Sequence, residues 1–238
     1  MKISVAMAVY NGEKYIEKQI NSIIGQLKEE DELIISYNHS IDKTEEIIRH
    51  YQEKDKRIKF YICEKKGVIN NFENAVLQCK NEIIFLSDQD DIWVNNKVET
   101  ILKYFENPEI AGVVHGCKFI DKNDNLLEIQ PQNKSKLVSI LDILIKNPVQ
   151  GSCLAFRKDF IKYISPFPSI IPMHDSWIGM FLAKYGKLII IKDELLLYRQ
   201  HEQSVTTRKH LPLQKMIKNR CLLFIAYMKR IYQIKNVR

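Results

Sequence analysis

Short apolar runs rich in β-branched residues alternate with helical periodicity along the first hundred residues. Ile3–Val9 reads as a buried strand, and the apolar positions from Ile16 to Leu27 recur at the spacing of one helix face. The alternation continues with strands at Glu32–Ser36, Ile58–Cys63 and Ile83–Ser87 and with helices at Asp42–Tyr51, Phe72–Cys79 and Val98–Phe105. It predicts an α/β fold with a mostly parallel, Rossmann-like sheet flanked by helices. Ligands bind such sheets beyond the carboxyl ends of the strands.

The second half of the chain mixes the two patterns. We predict strands at Ala111–Ile120, Leu126–Gln130, Gly151–Arg157, Leu188–Lys192 and Leu195–Tyr198, and helices at Leu137–Ile145, His174–Tyr185 and Leu213–Ile234. Gly186 follows the second of these helices and is typical of a helix C-terminus. We therefore predict one domain at 1–205, with halves at 1–107 and 108–205. A linker near 202–212 would lead to a helical appendage at 206–238.

The net charge of +7 is concentrated in the tail. No acidic residue follows Glu202, whereas nine lysines and arginines do, and the first 202 residues hold 27 basic and 29 acidic residues. This distribution excludes a nucleic-acid-binding body and favours a tail that meets an anionic surface. The five cysteines form no C-x-x-C pair, and no run of about 18 apolar residues predicts a membrane-spanning helix. A reduced, cytoplasmic location fits these features.

An acidic cluster, Asp88–Asp91, follows the apolar run Ile83–Leu86. Carboxylates this close together repel one another unless a cation is present, and their hard oxygen atoms suit Mg²⁺ or Mn²⁺. The alternative is a solvated turn that caps a helix, since aspartate is common there. Trp93, two residues later, favours a binding pocket if its ring is exposed for stacking, although tryptophan is more often part of a core.

The cluster Leu86–Trp93 resembles the D-x-D region of family 2 glycosyltransferases of GT-A fold, in the variant of bacterial rhamnosyltransferase-like members. Five further blocks resemble the family in the same order: Ala8–Gly12, Gly67–Ala75, Gly151–Ser152, His174–Trp177 and Tyr198–His201. The resemblance covers roughly residues 1–205 and implies a nucleotide-sugar-binding half at 1–107 and an acceptor-binding half at 108–205.

The resemblance assigns roles to the residues of these blocks. The metal ligands would be Asp90, Asp91 and His201; the donor-binding residues would be Ala8, Tyr10, Asn38, Gly67, Asn71, Asp88 and Gln89; and the acceptor-binding residues would be Trp93, Gly151, Ser152, His174 and Trp177. Asp175 would be the catalytic base of a single, inverting displacement. The alternatives are a helix N-cap for Asp175 and a surface histidine for His201.

The chain departs from the family after the second strand. Tyr37 and Asn38 stand where the family usually has two aspartates, of which one accepts the N3–H of the pyrimidine. The amide oxygen of Asn38 can still accept that hydrogen, without charge assistance. We predict a weaker or altered base preference. A catalytically inactive nucleotide-sugar-binding protein and a metal-dependent phosphohydrolase are the rival interpretations.

The tail predicts a basic amphipathic helix whose partner the sequence leaves open. Its apolar positions fall near one face: Leu213, Ile217, Cys221, Phe224, Met228 and Ile231. That face could lie on anionic lipid at the inner side of the cell membrane, on its own domain or on a second subunit of a homodimer. Our functional prediction is transfer of L-rhamnose from dTDP-rhamnose, or of a hexose from a UDP-sugar, onto a lipid-linked surface polysaccharide such as a capsule.

Overall fold

The computed structural model describes residues 1–128, 135–201 and 212–236. Its strands are β1 (Ile3–Val9), β2 (Glu32–Tyr37), β3 (Ile58–Ile62), β4 (Ile83–Asp88), β5 (Ile92–Trp93), β6 (Ile110–Ile120), β7 (Leu126–Leu127), β8 (Lys136–Leu137), β9 (Leu154–Arg157) and β10 (Lys187–Arg199). Its α-helices are α1 (Ile16–Ile24), α2 (Thr44–Lys54), α3 (Val68–Gln78), α4 (Lys97–Tyr104), α5 (Ile140–Lys146), α6 (Ile161–Ile164), α7 (His174–Tyr185) and α8 (Leu213–Asn236).

One mixed sheet runs through the described residues in the order β3-β2-β1-β4-β9-β6-β10-β5. Strands β1 to β4 are parallel to one another, and β6 is parallel to β10. Strand β9 runs antiparallel to both of its neighbours, and the short β5 runs antiparallel to β10. The prediction of a mostly parallel α/β sheet flanked by helices is therefore confirmed, with reversed strands in its second half.

The boundaries of several predicted elements are wrong. Lys136 and Leu137 do not begin a helix, because they pair with β10, and α5 starts at Ile140 behind a capping box formed by Ser139 and Asp142. Residues 151–153 form a 3₁₀ turn before β9. The two late strands are one strand, β10, whose register against β6 shifts between Ile190 and Leu197. Part of the predicted strand Leu126–Gln130, residues 129 and 130, lies outside the described residues. The same is true of residues 202–211 of the predicted linker.

The packing of the sheet fixes where its strands end. Every residue of β2 is buried, as expected for a parallel strand covered on both faces, and α1 lays Ile16, Ile20 and Ile23 against the sheet. Within the pairing, Ala8 of β1 lies opposite Asp88 of β4. The carboxyl ends of these strands are thereby held side by side at one edge of the sheet.

Helix α8 packs on its own domain, against α5 and α7, by a different face from the one that the sequence suggested. Its buried residues are Leu223, Ala226 and Tyr227. The apolar positions at Leu213, Ile217, Cys221, Phe224 and Met228 are exposed, and only Ile231 of the predicted stripe is half-buried. No helix within the described ranges is long and apolar enough to cross a bilayer.

Candidate active site

A cavity of about 750 Å³ opens beyond the carboxyl ends of β1, β2 and β4. This volume lies in the usual range for a small-molecule site. The cavity brings together Asn38 and residues from all six blocks singled out in the sequence: Ala8, Tyr10, Gly67, Asn71, Asp88, Gln89, Asp90, Gly151, His174, Asp175 and His201. Residues separated by almost two hundred positions therefore share one site.

Trp93 and Trp177 were expected to shape the acceptor pocket, and the structure contradicts both expectations. Trp93 is 1% exposed because β5 pairs with β10 and turns its ring toward Phe85 in the core. Trp177 is fully buried, and its indole N–H donates to the carbonyl oxygen of Ile164 at 2.8 Å. Neither ring lines the cavity, so neither can stack on a sugar from where it lies.

Asp91 and Ser152 are also interior residues. The Asp91 carboxylate accepts a hydrogen bond from the backbone N–H of Arg199 at 2.9 Å, and the Ser152 carbonyl accepts one from the Lys97 ammonium at 3.0 Å. Burial raises the pKa of Asp91 well above its usual range, and the nearby carboxylate of Asp90 raises it further. Asp91 therefore supports the loop from inside and does not reach the cavity as a metal ligand.

The acidic loop is held by side chains that bridge distant segments. Gln89 is clamped to the backbone of Tyr10: its amide oxygen accepts from the Tyr10 N–H at 2.7 Å, and its amide nitrogen donates to the Tyr10 carbonyl at 2.8 Å. Arg199 donates to the Asp90 carbonyl at 2.7 Å. With these groups fixed, the Asp90 carboxylate lies 2.8 Å from Nε2 of His201 inside the cavity.

Asp88 is the second carboxyl group of the loop that faces the cavity. Burial raises the pKa of Asp88 to about 7, and the carboxylates of Asp90 and Asp175 add to the rise. Asp88 and Asp175 thus come from opposite halves of the chain, and the charge of Asp175 raises the pKa of Asp88. Such crowding of carboxyl groups in one pocket is typical of a functional site.

The fit of a divalent cation depends on Asp90 and His201. A carboxylate oxygen and a neutral imidazole are both ligands of Mn²⁺, and Mg²⁺ or Mn²⁺ commonly uses one or two protein ligands and completes its shell with waters and substrate phosphates. No group of three or more histidine, cysteine, aspartate or glutamate side chains with metal-site geometry occurs in the part of the chain that the structure describes. The residues therefore fit an ion shared with a bound diphosphate, and do not fit an all-protein cage.

Two asparagines that line the cavity, Asn38 and Asn71, form hydrogen bonds within the protein. Asn38 donates to the carbonyl of Cys63 at 2.6 Å and to that of Lys65 at 3.1 Å. Asn71 donates to the Val9 carbonyl and accepts from the Ser36 hydroxyl at 2.6 Å. Their amides hold the strand ends in place, which leaves little capacity to bind a ligand directly.

Gly67 marks the start of α3 at the cavity. Its φ of 103° lies in a region that glycine tolerates and other residues rarely adopt, and a side chain there would meet no atom within 4 Å. The conformation directs the N-terminus of α3 toward the cavity, next to Lys66 in its lining. Backbone N–H groups at a helix start and a nearby ammonium favour an anionic group such as a diphosphate.

Another wall of the cavity is built around the start of α7. Burial raises the pKa of the Asp175 carboxyl to about 6, against hydrogen bonds from Ser176 and Asn147 that lower it. Burial lowers the pKa of His174 to about 3, so its imidazole is neutral at physiological pH. The ring stacks on Phe72 at 3.9 Å, and neither ring nitrogen has a hydrogen-bond partner within the described ranges.

Gly151 allows His174 to approach. A Cβ at Gly151 would lie only 2.8 Å from Nε2 of His174 and 3.7 Å from the Cβ of Asp175. The absence of a side chain therefore lets the turn before β9 lie directly against the candidate base. Gly151, His174 and Asp175 form one compact wall of the cavity.

The family model for glycosyl transferase family 2 matches residues 4–164. The chain belongs to this family. The resemblance seen in the sequence is confirmed at the level of the family, and the rhamnosyl preference stays a prediction.

Relatives and a structural neighbour agree with membership of family 2. The O-antigen biosynthesis glycosyltransferase WbnJ of Escherichia coli is 32% identical over 161 residues, which are 67% of this chain and 63% of that protein. A GalNAc(5)-diNAcBac-PP-undecaprenol beta-1,3-glucosyltransferase of Campylobacter jejuni is 31% identical over 127 residues, or 52% and 40% of the two chains. The crystal structure of S. aureus TarS 1-349 in complex with UDP-GlcNAc superposes with a TM-score of 0.72 at 18% identity, covering 95% of this chain and 66% of that one.

The likeness to TarS confirms the GT-A-like fold of this family 2 member. The chain spans about two thirds of the length of these relatives, or less. What each relative binds or acts on is therefore a property of that longer protein.

Sequence reasoning missed several residues that line the cavity and one that is buried beside it. Lys14 and Tyr15 line the cavity from the turn after β1, and Gln150 lines it next to Gly151. The feature that could have identified these residues in the sequence is their closeness to the blocks Ala8–Gly12 and Gly151–Ser152. Lys97 gave no signal at all, because a lysine at the first position of a helix is usually solvated, whereas this one is 1% exposed.

Proposed function

We propose that this chain is an inverting glycosyltransferase that moves a sugar from a nucleotide-diphosphate donor to an acceptor hydroxyl. The observation that carries the proposal is that Asp90, His201 and Asp175 line one cavity. We assign Asp90 and His201 to its donor side and Asp175 to its acceptor side. Residues 1–107 would bind the donor, and residues 108–205 would bind the acceptor. Family membership supports the transfer of a sugar. The cavity offers a candidate base for the acceptor hydroxyl, Asp175, and candidate ligands for a cation at the diphosphate, Asp90 and His201.

The geometry supports a single displacement at the anomeric carbon. A new bond forms from the acceptor oxygen to that carbon, the bond to the diphosphate oxygen breaks, and the acceptor proton goes to the Asp175 carboxylate. A base whose pKa is about 6 is largely ionised at pH 7 and is basic enough to accept that proton. Neutral His174 and Gly151 would orient the acceptor beside it.

On the donor side, the diphosphate is the group that acquires charge. Lys66, Lys14 and the N-terminus of α3 would attract it. Mn²⁺ or Mg²⁺ held by Asp90 and His201 would supply Lewis-acid neutralisation of the leaving diphosphate.

The donor proposal is a dTDP- or UDP-sugar, with dTDP-rhamnose first and UDP-glucose or UDP-galactose second. TarS in complex with UDP-GlcNAc supports a uridine donor for the shared fold. The experiment is a thermal-shift panel of nucleotide sugars with Mn²⁺ and with a chelator, followed by turnover with saccharide acceptors. Stabilisation by a pyrimidine donor that disappears with the chelator is the expected result, and the absence of any shift with all donors would contradict the proposal.

Asp175→Asn separates an enzyme from a binding protein. The variant should bind donor with unchanged affinity and lose transfer about 10²- to 10⁴-fold, since it lacks the base. Asn147→Ala is the matched control, because Asn147 contacts the Asp175 carboxylate as a donor at 3.4 Å and also bonds Val149, but carries no group that could act as the base. Equal transfer by the wild type and Asp175→Asn would contradict the assignment. Release of phosphate or nucleotide at full rate without acceptor would indicate a phosphohydrolase instead.

The proposed acceptor is a lipid-linked saccharide of a surface polysaccharide, reached from the cytoplasmic side of the membrane. The C. jejuni relative, whose name specifies an undecaprenol-linked acceptor, supports this. Helix α8 adds physical support, since its outer face exposes Ile217, Phe224 and Met228. Residues 212–236 carry lysines and arginines and no acidic residue, so two copies would repel each other there, whereas anionic lipid would attract them.

Co-sedimentation with vesicles tests the membrane contact. Ile217→Gln with Phe224→Gln should lose binding to anionic phosphatidylglycerol vesicles, while Ile41→Gln, at a residue 94% exposed far along the sequence, should not. Binding that is equal for all variants would exclude this face. A dimer in solution that the double variant dissociates would assign the face to a second copy instead.

A further inference from the structure

Lys97 is a buried lysine that the proposed reaction does not use. It is the first residue of α4 and is 1% exposed. Burial lowers the pKa of Lys97 to about 8, so the group remains largely charged at neutral pH. Burying an ammonium is expensive, and a methionine would fill the same space without that penalty.

The contacts of the ammonium join the two sides of the cavity. Nζ lies 4.0 Å from the ring centroid of Trp93, on the segment that directly follows the acidic loop. It also donates to the carbonyl oxygen of Ser152 at 3.0 Å, in the turn that carries Gly151 to the cavity. These two segments are separated by more than fifty residues, and the Lys97 ammonium contacts both of them.

The position of this turn matters for the acceptor side. A Cβ at Gly151 would lie 2.8 Å from His174, so a small movement of the turn would change the room beside His174 and Asp175. One ammonium therefore contacts the segment after the donor-side loop through the Trp93 ring and the acceptor-side turn through a hydrogen bond.

We infer that Lys97 is a positioning residue that fixes the acceptor-side turn 151–153 relative to the donor-side loop 88–91. The inference rests on the proposed glycosyl transfer. By holding the turn, Lys97 sets the distance between the acceptor hydroxyl and the anomeric carbon. A misplacement of about 1 Å in such a pair can lower the rate about a hundredfold.

Lys97→Met and Lys97→Gln test the inference, and Lys97→Arg is the conservative variant. We expect the first two to bind nucleotide sugar within about threefold of wild type, to hydrolyse donor with water at a similar rate, and to lose transfer to the acceptor roughly 10- to 100-fold. Lys97→Arg should recover part of the transfer because it keeps a charged donor. If Lys97→Met does not fold, Lys97→Gln and Lys97→Arg carry the same comparison.

Ile101→Ala is the matched control, since Ile101 is a fully buried residue of the same helix that does not line the cavity. It should destabilise α4 and leave the ratio of transfer to hydrolysis unchanged. A wild-type ratio in Lys97→Met, or the same drop in ratio for Ile101→Ala, would overturn the inference. A parallel loss of donor affinity and transfer would also overturn it, because Lys97 would then act on the donor loop alone.

Hydrogen exchange provides a readout that does not depend on activity. The Cys153 N–H donates to the Gln150 carbonyl at 3.0 Å within the turn. Peptides covering 150–156 should exchange faster in Lys97→Met than in wild type and Ile101→Ala. Unchanged exchange would overturn the inference even in an active enzyme, whereas faster exchange in a protein that transfers no sugar would contradict only the proposed function.

Discussion

The side chain of Asn38 shows why the family's acidic residue is missing from this chain. Its amide nitrogen faces two carbonyl oxygens, those of Cys63 and Lys65, and its amide oxygen accepts from the Gly67 N–H at 3.3 Å. A carboxylate in the same place would face those carbonyls without a proton to share. The asparagine therefore joins the ends of β2 and β3 to the start of α3, a task that aspartate cannot perform.

Asn38→Asp should consequently harm the protein rather than restore a family feature. We expect the free energy of unfolding to fall by about 2–3 kcal/mol, because two hydrogen bonds are lost and a charge meets two carbonyl oxygens. UDP affinity should not improve. Urea denaturation and calorimetry measure both effects, with Asn70→Asp as the control, since the Asn70 side chain donates to the Lys66 carbonyl near the surface. A variant of wild-type stability with tighter UDP binding would refute this account.

Asp175 links catalysis to stability. Burial raises the pKa of its carboxyl from 3.8 to about 6, so the folded state holds the proton more tightly than the unfolded chain does. The resulting stabilisation is complete below about pH 4 and is lost as the pH rises through about 6. The ionised carboxylate that the proposed reaction requires therefore weakens the fold at neutral pH.

Asp175→Asn should for this reason stabilise the protein at pH 7, by up to about 3 kcal/mol, while abolishing transfer. The gain should shrink to near zero at about pH 3, where the carboxyl is largely protonated in both the folded and the unfolded wild-type chain. Urea denaturation at the two pH values measures the difference. A gain of the same size at both would show that the amide stabilises by packing or hydrogen bonding and not by removing a charge.

At the scale of elements, the C-terminal end of β10 holds the acidic loop and the turn after β6 together beside the cavity. Arg199 donates through Nε to the Asp90 carbonyl and through Nη1 to the Asp121 carbonyl at 3.0 Å, and it forms an ion pair with Asp124. Its guanidinium also lies 4.6 Å from the ring centroid of Tyr15. A planar group with several donors thus joins β10, the acidic loop and the turn after β6.

Arg199→Lys should break this junction, because an ammonium cannot direct donors to all these partners at once. We expect a loss of about 2–4 kcal/mol in stability and a clear loss of Mn²⁺-dependent donor affinity, since Asp90 would no longer be held beside His201. Calorimetry with and without Mn²⁺ measures the affinity. Arg157→Lys is the control: Arg157 also binds backbone carbonyls, those of Ile110 and Phe105, but it does not line the cavity, so its variant should keep donor affinity.

The elements themselves were largely predictable, whereas the direction of single side chains was not. Alternating apolar runs predicted β1 to β4 because parallel strands must bury both faces. The burial of Trp93 was not predicted, because a strand of two residues is too short to show which side chains face the core. Asp91 was misplaced because three aspartates in four residues look equivalent in sequence, and only the pairing of β5 with β10 turns one of them inward. The burial of Lys97 was not predicted, because the sequence around a single lysine does not show whether its side chain is buried.

At the scale of the whole molecule, α8 completes the domain from outside the sheet. Tyr227 is 6% exposed, and the centroid of its ring lies 5.3 Å from that of Phe181 in α7. Near the end of α6, the Arg230 guanidinium donates to the Tyr163 carbonyl at 2.9 Å and to the Lys162 carbonyl at 3.0 Å. One side of α8 is therefore part of the domain's packing. Its other side remains apolar and exposed, which separates the structural role of the helix from its proposed contact with lipid.

Two aromatic residues of α8, three positions apart, test this division. Tyr227→Ala should lower the free energy of unfolding by about 2–4 kcal/mol, because it leaves a cavity against α7. Phe224→Ala should change it by less than about 0.5 kcal/mol, since Phe224 is 45% exposed, and should instead weaken binding to anionic vesicles. Thermal and urea denaturation of both variants, together with vesicle co-sedimentation, separate the two effects. If Phe224→Ala destabilised the protein as much as Tyr227→Ala in the absence of lipid, the outer face would be packed in solution, and a second copy of the chain would be its partner.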